Sequence, residues 1–159
     1  ELASVDLSGG AASSLSTGTF DEKKYLWVQM YIRESTSTDT RFRVGNTTID
    51  SGNNYANRTS NDGNPDTTDI NRTQFENVSR GNGNTGTFIN MFFTNNTSYE
   101  KLMIMNNVQE HTVGAATAPA RRESVQKWAN TSSKIDIMEL IVTSGNMLED
   151  TQIKVWGAN

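Results

Sequence analysis

Apolar side chains in this chain occur in short alternating bursts that are separated by long polar stretches. In the clearest burst, Tyr25 to Arg33, every second residue is apolar: Leu26, Val28, Met30 and Ile32. A period of two indicates a β-strand, because successive side chains of a strand point to opposite faces. The same pattern predicts five more strands, at Arg41–Val44, Phe88–Phe93, Lys101–Met105, Ile135–Val142 and Gln152–Trp156.

A single segment, Arg121 to Ala129, is a helix candidate. Val125 and Trp128 lie three residues apart in it, behind Pro119 and before Asn130. That spacing allows one or two helical turns. The rest of the chain predicts strands, so a helix-rich fold is disfavoured.

Residues 45–87 form the longest stretch of low apolar content. A structureless loop of this length is uncommon in a compact domain. We therefore expect short strands around Tyr55 and Phe75, joined by polar turns. In residues 135–140 the apolar face changes parity near Met138, and this favours a β-bulge.

Many short strands in 159 residues predict an all-β fold, an antiparallel β-sandwich or jelly roll with long polar loops. Residues 1–19 are expected to be an N-terminal edge strand, from Leu2 to Leu7, followed by a flexible arm. Residues 20–159 are expected to be the jelly-roll β-sandwich domain. Because the chain begins at Glu1, we expect a processed or truncated product.

Composition narrows the classes of partner. Hydrophobic residues are 34% of the chain and charged residues 20%, and Asn, Thr, Ser and Gly fill the difference. The net charge is −4 and no block of Lys or Arg interrupts it, so neither nucleic acid nor an anionic membrane is an expected partner. The absence of cysteine excludes disulfides and thiolate chemistry.

Candidate catalytic groups are few. His111 is the only histidine, and no serine-nucleophile or phosphate-loop motif accompanies it. Carboxylates such as Asp136 and Glu139, or Asp62 and Asp66, could form a glycosidase pair, but solvated loop acids account for them better. We expect a protein that is not an enzyme.

A cluster of oxygen ligands suggests calcium as the one candidate ion. Asp62, Asp66 and Asp69 lie within eight residues of one another, although Pro65 interrupts the run and the spacing is not that of a helix-flanked calcium loop. The alternative is a solvated turn in which the side chains bond their own backbone. No other cofactor is expected.

Large aromatic side chains lie on the second faces of the predicted strands. One face of a sandwich sheet is normally buried and the other polar. A second apolar face needs a cover, which is a loop, another subunit or a planar ligand such as a sugar ring. The subunit-contact candidates are Tyr25, Trp27, Tyr31, Phe88, Phe92 and Trp156. They predict a homo-oligomer, with a trimer favoured.

The polar loops offer a different function, contact with a glycan. Loop amides and an aromatic ring could together bind a sugar at Asn53, Asn54 and Tyr55. The alternative hypothesis is therefore a carbohydrate-binding or receptor-binding module.

Four stretches carry a resemblance to a known family: Phe20–Leu26, Lys127–Ser132, Ser144–Asn146 and Ile153–Gly157. Over residues 20–157 the chain resembles jelly-roll domains of virion proteins of tailed bacteriophages, particularly marine and cyanobacterial phages. The resemblance implies a role on the particle surface, as a capsid decoration protein or a module of a tail fibre or spike, with decoration preferred. Its implied partners are capsid or tail subunits and, in the alternative, a cell-surface glycan. It implies assembly in the host cytoplasm and no catalytic residue.

Overall fold

The computed structural model describes residues 1–81, 83 and 85–159. Within these residues the chain forms thirteen β-strands, and no helix is long and apolar enough to cross a membrane. The strands are β1 (Ala3–Asp6), β2 (Ser14–Thr19), β3 (Tyr25–Arg33), β4 (Asp39–Asn46), β5 (Thr48–Ile49), β6 (Tyr55–Asn61), β7 (Thr67–Arg72), β8 (Phe75–Arg80), β9 (Gly86–Thr94), β10 (Lys101–Gln109), β11 (Ala120–Trp128), β12 (Ile137–Val142) and β13 (Gln152–Ala158).

The strands form two antiparallel sheets that pack face to face. The larger sheet has eight strands in the order β1-β13-β3-β9-β10-β11-β6-β7. The smaller has the order β2-β12-β4-β5, and β8 also pairs with β4. This architecture confirms the predicted all-β sandwich, and the jelly-roll topology stays a prediction.

All six strands predicted from the alternating pattern are confirmed, and β3 has the predicted bounds. The helix candidate at 121–129 is wrong, because this segment is β11. Trp128 points into the core and Val125 points outward, so the two side chains do not share a face. Pairing with β10 on one side and β6 on the other holds the segment extended.

Residues 45–87 contain the expected strands around Tyr55 and Phe75, which are β6 and β8, together with β5 and β7. A tight turn joins β6 to the loop before β7. Asp62 and Gly63 both have positive φ, at 51° and 79°, and the amide of Asn64 donates to the carbonyl of Asn61. Two successive residues with positive φ are the requirement of a type I′ turn, which Asp-Gly meets.

A bulge lies beside Met138, but it is in β2 and not, as predicted, in residues 135–140: Ile137 and Glu139 pair with Thr19 and Ser16, whereas β12 pairs with β4 in unbroken register. The register of β12 against β2 shifts between Ile137 and Glu139. Thr17 Oγ1 accepts the amide of Met138, so a side chain satisfies the backbone group at the irregular position. Met138 and Leu140 share the buried face because they are two residues apart in the regular strand β12.

The flexible arm expected within residues 1–19 is corrected by the structure. Residues 14–19 are β2, which pairs with β12 in the small sheet, whereas β1 pairs with β13 at the edge of the large sheet. The N-terminal segment thus supplies one edge strand to each sheet. Its apolar side chains pack against the core: Leu2, Ala3, Val5, Leu7 and Leu15. We attribute the misprediction of β2 to the Gly- and Ser-rich composition of this segment. An edge strand needs few buried apolar side chains, so such a composition can still form one.

The core lies between the inner faces of the two sheets. The large sheet contributes alternate residues of its central strands, such as Val28, Met91 and Met105. At the centre four aromatic rings meet: Tyr55 lies edge-on to Phe75 at 4.9 Å, and Phe42 and Phe93 lie 6.3 and 6.1 Å from Phe75. The opposite face of β3 and β9 also carries large side chains, and the small sheet covers only the inner face.

Deletion of residues 1–7 should lower the free energy of unfolding by about 2 to 4 kcal/mol, since it removes β1 and four partly buried apolar side chains. Chemical denaturation measures the change. Deletion of Glu1 alone is the control and should leave the midpoint unchanged. An unchanged midpoint for the longer deletion would show that this segment is a detachable arm after all.

Candidate interaction surface on the eight-stranded sheet

One face of the eight-stranded sheet points away from the small sheet, and we call it the outer face. It consists of the alternate residues of six adjacent strands, β13, β3, β9, β10, β11 and β6, whose other residues are buried in the core. Sheet pairing places the side chains of neighbouring strands in rows that cross the sheet. These rows determine what the outer face can contact.

The central row is almost wholly apolar. In register order from β13 to β11 it contains Trp156, Trp27, Phe92, Ile104 and Val125. It ends at Arg58 on β6, which pairs with Val125. A row of this kind would be expected inside a sandwich, yet in the isolated chain it faces solvent.

The aromatic members of this row contact one another. The Trp27 and Phe92 rings are nearly parallel, with an interplanar angle of 3° and centroids 6.0 Å apart. Trp156 lies on the other side of Trp27, with its ring centroid at 4.9 Å. Each contact is between cross-strand neighbours, which are the unit of side-chain stabilisation in a sheet. The three rings form a continuous aromatic cluster.

A polar row runs beside the central row. It contains Lys154, Gln29, Asn90, Asn106 and Glu123. Asn90 Oδ1 accepts hydrogen bonds from Gln29 Nε2 at 3.1 Å and from Trp27 Nε1 at 3.4 Å. The amide groups therefore hold the tryptophan ring in place and leave hydrogen-bonding groups at the edge of the aromatic cluster.

Two further rows flank this arrangement. On the far side of the polar row lie Tyr31, Phe88, Val108 and Arg121. On the far side of the central row lie two cross-strand pairs, Tyr25 with Thr94 and Leu102 with Lys127. The amide of Leu102 donates to Thr94 Oγ1 and so joins these two pairs.

The outer face has two halves of different chemistry. The strands β13, β3 and β9 carry its aromatic side chains. The strands β10, β11 and β6 carry aliphatic side chains and cations: Leu102, Ile104, Val108, Val125, Arg58, Arg121 and Lys127. The cations already have acidic neighbours, with Arg121 2.8 Å from Glu123 and Lys127 2.8 Å from Glu100. Such exposed ion pairs contribute little and can exchange partners.

The outer face exposes more apolar surface than an ordinary protein surface does. Eight apolar side chains on β3, β9, β10 and β11 are each 38 to 57% exposed: Tyr25, Trp27, Phe88, Phe92, Leu102, Ile104, Val108 and Val125. They expose roughly 700 Å² together, at about 80 to 100 Å² each. The largest apolar patch of a typical monomer measures about 300 to 600 Å², and larger patches mark interaction sites.

The structure brings all six predicted subunit-contact residues together on this face: Tyr25, Trp27, Tyr31, Phe88, Phe92 and Trp156. It also adds four aliphatic residues that sequence reasoning missed: Leu102, Ile104, Val108 and Val125. The signal for Leu102 and Ile104 was present, because they alternate with the buried Met103 and Met105. Val125 was missed because its segment was assigned to a helix candidate.

The glycan-contact candidates of the loop do not form a site together. Tyr55 is buried in the core, and its hydroxyl lies within hydrogen-bonding distance of the carbonyl oxygens of Val44 and Asp50, at 2.8 and 2.7 Å. Its ring is inaccessible to a ligand, which corrects that expectation. Asn53 and Asn54 are exposed, and the amide of Asn54 donates to Asp50 Oδ2.

The structure gives each calcium candidate a separate partner. Asp62 accepts the backbone amide of Arg121, and Asp66 lies 3.8 Å from a guanidinium nitrogen of Arg58. Among the described residues no group of three or more acidic, histidine or cysteine side chains could hold a metal ion.

Asp69 is a half-buried residue in the middle of β7. Its carboxylate accepts hydrogen bonds from Arg72, Asn57 and Asn77. Burial opposes its ionisation, but the bonds from Arg72 and Asn57 outweigh burial and hold the pKa of this carboxyl below its usual range. Asp69 therefore joins β6, β7 and β8 rather than facing Asp62 and Asp66.

A polar cleft of about 460 Å³ lies at one end of the sandwich. Asp62 and His111 line it together with two arginines, Arg121 and Arg122. Two guanidinium groups in one cleft disfavour a cation, so the cleft does not recover the calcium hypothesis. Of the carboxylates considered for a glycosidase pair, Asp136 also has a partner, since it accepts the amide of Thr47 at 2.6 Å.

Comparison with known proteins leaves the family open. No family model matches the chain, and no curated protein is similar enough to count as a relative. The resemblance to phage jelly-roll domains therefore stays a prediction. The function has to be argued from the outer face itself.

Adjacent residues of β10 test whether the outer face is dispensable for folding. Met105→Ser should lower the free energy of unfolding by at least about 3 kcal/mol, since it leaves a cavity and a buried hydroxyl. Ile104→Ser should lower it by no more than about 1 kcal/mol, because Ile104 is 57% exposed. Urea denaturation at low protein concentration measures both. Equal losses would mean that the outer face helps to hold the monomer together.

Proposed function

We propose that this chain is a non-enzymatic structural protein on the surface of a tailed-phage particle, where it binds neighbouring virion subunits. Capsid decoration is preferred to a place in a tail fibre. The outer face of the eight-stranded sheet is the contact surface. The observation that supports the proposal is its patch of roughly 700 Å² of exposed apolar surface.

Exposure of these apolar side chains to water carries a cost in free energy. An apolar side chain gains about 25 cal/mol for each Å² that it removes from water. A patch of this size on a folded sheet is a source of binding free energy and, without a partner, of aggregation. A neighbouring subunit removes it from water and leaves the polar loops at the particle surface.

The shape of the face also suits a protein partner. Its rows lie on the central strands of an antiparallel sheet whose backbone groups are paired on both sides. The sheet is therefore pre-ordered, and docking loses little backbone entropy. Protein–protein contacts of standard size bury about 800 Å² on each partner, which is close to the area of this patch.

Particle uptake tests the proposal. Phage particles assembled without this chain should bind the purified protein, and electron cryo-microscopy should show its density repeated on the particle surface. The double substitution Phe92→Ser and Ile104→Ser should abolish uptake, because it places hydroxyls in the centre of the patch. Cosedimentation with the particles measures the bound fraction.

The matched control replaces exposed apolar residues that lie outside the outer face. Tyr99 is 72% exposed and Val113 is 78% exposed, and both lie in loops. Tyr99→Ser with Val113→Ser should leave uptake unchanged. Wild-type protein that stays in the supernatant, or equal uptake of both double variants, would contradict the proposal.

The alternative function is a carbohydrate-binding or receptor-binding module. The observation that favours it is the aromatic cluster of Trp27, Phe92 and Trp156, with the amides of Gln29 and Asn90 at its edge. Aromatic rings flanked by amides are suited to a sugar ring, which has apolar faces and polar edges.

Titration of the protein against a panel of bacterial surface glycans tests the alternative. It predicts saturable binding that Trp27→Ala reduces at least about tenfold, because a central ring of the cluster is lost. Leu102→Ala, at a position of the face away from the rings, is the control and should bind as the wild type does. Binding that Trp27→Ala leaves unchanged would rule out the aromatic cluster as the site.

A further inference from the structure

We propose that the subunit that covers the outer face is a second copy of this chain, related to the first by a two-fold axis. The axis runs parallel to the strands and passes between β9 and β10. The inference rests on the proposed function, because it identifies the neighbouring virion subunit that this surface binds as a second copy, so that the chain is held on the particle in pairs. The two halves of the face complement each other in chemistry.

A two-fold axis in this position exchanges the two halves. It places β9 of one copy over β10 of its partner, and β3 over β11. Because the axis is parallel to the strands, each row faces the same row of the partner; we call each such height along the strands a level. Phe92 then faces the partner's Ile104, and Phe88 faces the partner's Val108. Because a two-fold contact is isologous, each of these pairs occurs twice.

The strands β3 and β11 show the complementarity level by level. In the central row Trp27 faces the partner's Val125, so apolar meets apolar. In the polar row Gln29 faces the partner's Glu123, so an amide donor meets a carboxylate.

The two outer levels pair a ring with a cation. Tyr31 faces the partner's Arg121, and Tyr25 faces the partner's Lys127. A cation over an aromatic ring is favourable, more so when both are removed from water. All four levels of β3 are thus matched by the partner's β11.

The area of the face suits two copies. Each copy presents roughly 700 Å² of apolar surface, close to the 800 Å² or so that each partner of a standard interface buries. Two twisted sheets pack face to face at about 30°, so the contact is concentrated on the four central strands. Those strands carry the eight exposed apolar side chains.

Other arrangements use the face less well. A two-fold axis along the central row would bring Arg58 over Arg58 of the partner subunit, which places like charges together. A closed trimer is heterologous and would pair this face with a different surface. The distribution of residues therefore favours a two-fold pair over the trimer that the sequence predicts.

Sedimentation equilibrium of the isolated chain tests the proposal. At tens of micromolar, wild-type protein should have a mass of about 35 kDa, twice the 17.6 kDa of one chain. Phe92→Ser with Ile104→Ser should give the monomer, and the control Tyr99→Ser with Val113→Ser should give the dimer. A wild-type monomer or trimer would overturn the inference.

A charge exchange tests the position of the axis. Gln29→Glu should weaken the dimer about tenfold or more, because it faces the partner's Glu123 with a like charge. Adding Glu123→Lys should restore wild-type affinity, since the pair then has opposite charges. Within one chain β3 and β11 are three strand spacings apart, about 14 Å, so the rescue reports a contact between copies. A dimer that Gln29→Glu does not weaken, or that Glu123→Lys does not restore, would overturn the proposed axis.

These outcomes are separable from those of particle uptake. A monomeric chain that phage particles bind would overturn the two-fold pair and keep the proposed function. A dimer that particles do not bind would keep the pair and overturn the role on the particle.

Discussion

The structure depends on an unequal match between its two sheets. The small sheet covers one face of the eight-stranded sheet, where the side chains of β3, β9 and β10 form the core with Phe42 and Phe75. The opposite face of the same strands is also apolar and has no cover within the described residues. A sheet with two apolar faces is usually buried on both sides. The second face is thus the feature that the function has to explain.

The inner face alone is sufficient to account for the fold. It buries a continuous apolar core, and the edge strands β1 and β2 extend that core by one strand in each sheet. Several interior polar groups are tied to specific partners. Lys101, for example, is fully buried, donates to two backbone carbonyls and lies 5.6 Å from the Trp128 ring centre. Burial holds the pKa of this lysine below its usual range. The outer face is therefore free to serve contact with other molecules.

Much of the fold could be predicted from the sequence, because period-two alternation in segments such as Tyr25 to Arg33 is a local signal. The strand at 120–128 could not, since it lacks strong alternation and is held extended by β10 and β6. The edge strand β1 was predicted, whereas β2 was obscured by a Gly- and Ser-rich composition. Edge strands depend on pairing with distant residues, which a local pattern does not show.

Part of the candidate site could likewise be predicted from local alternation along the strands. Aromatics such as Trp27 and Phe92 could be assigned to a second face from alternation alone. Their alignment into rows with Ile104 and Val125 depends on the register between strands that are far apart in sequence. The burial of Tyr55 was likewise invisible, because its loop composition resembled a binding loop and its core contacts with Phe75 are tertiary.

We expect the outer face to be buried once the protein is assembled. Hydroxyl-radical footprinting tests it directly, by comparing the oxidation rates of named side chains in dilute monomer and in the assembled state. The rates of Trp27, Phe92 and Trp156 should fall several-fold on assembly, while that of the loop residue Tyr99 should be unchanged. Unchanged rates for the three aromatic residues in a demonstrated assembly would contradict it.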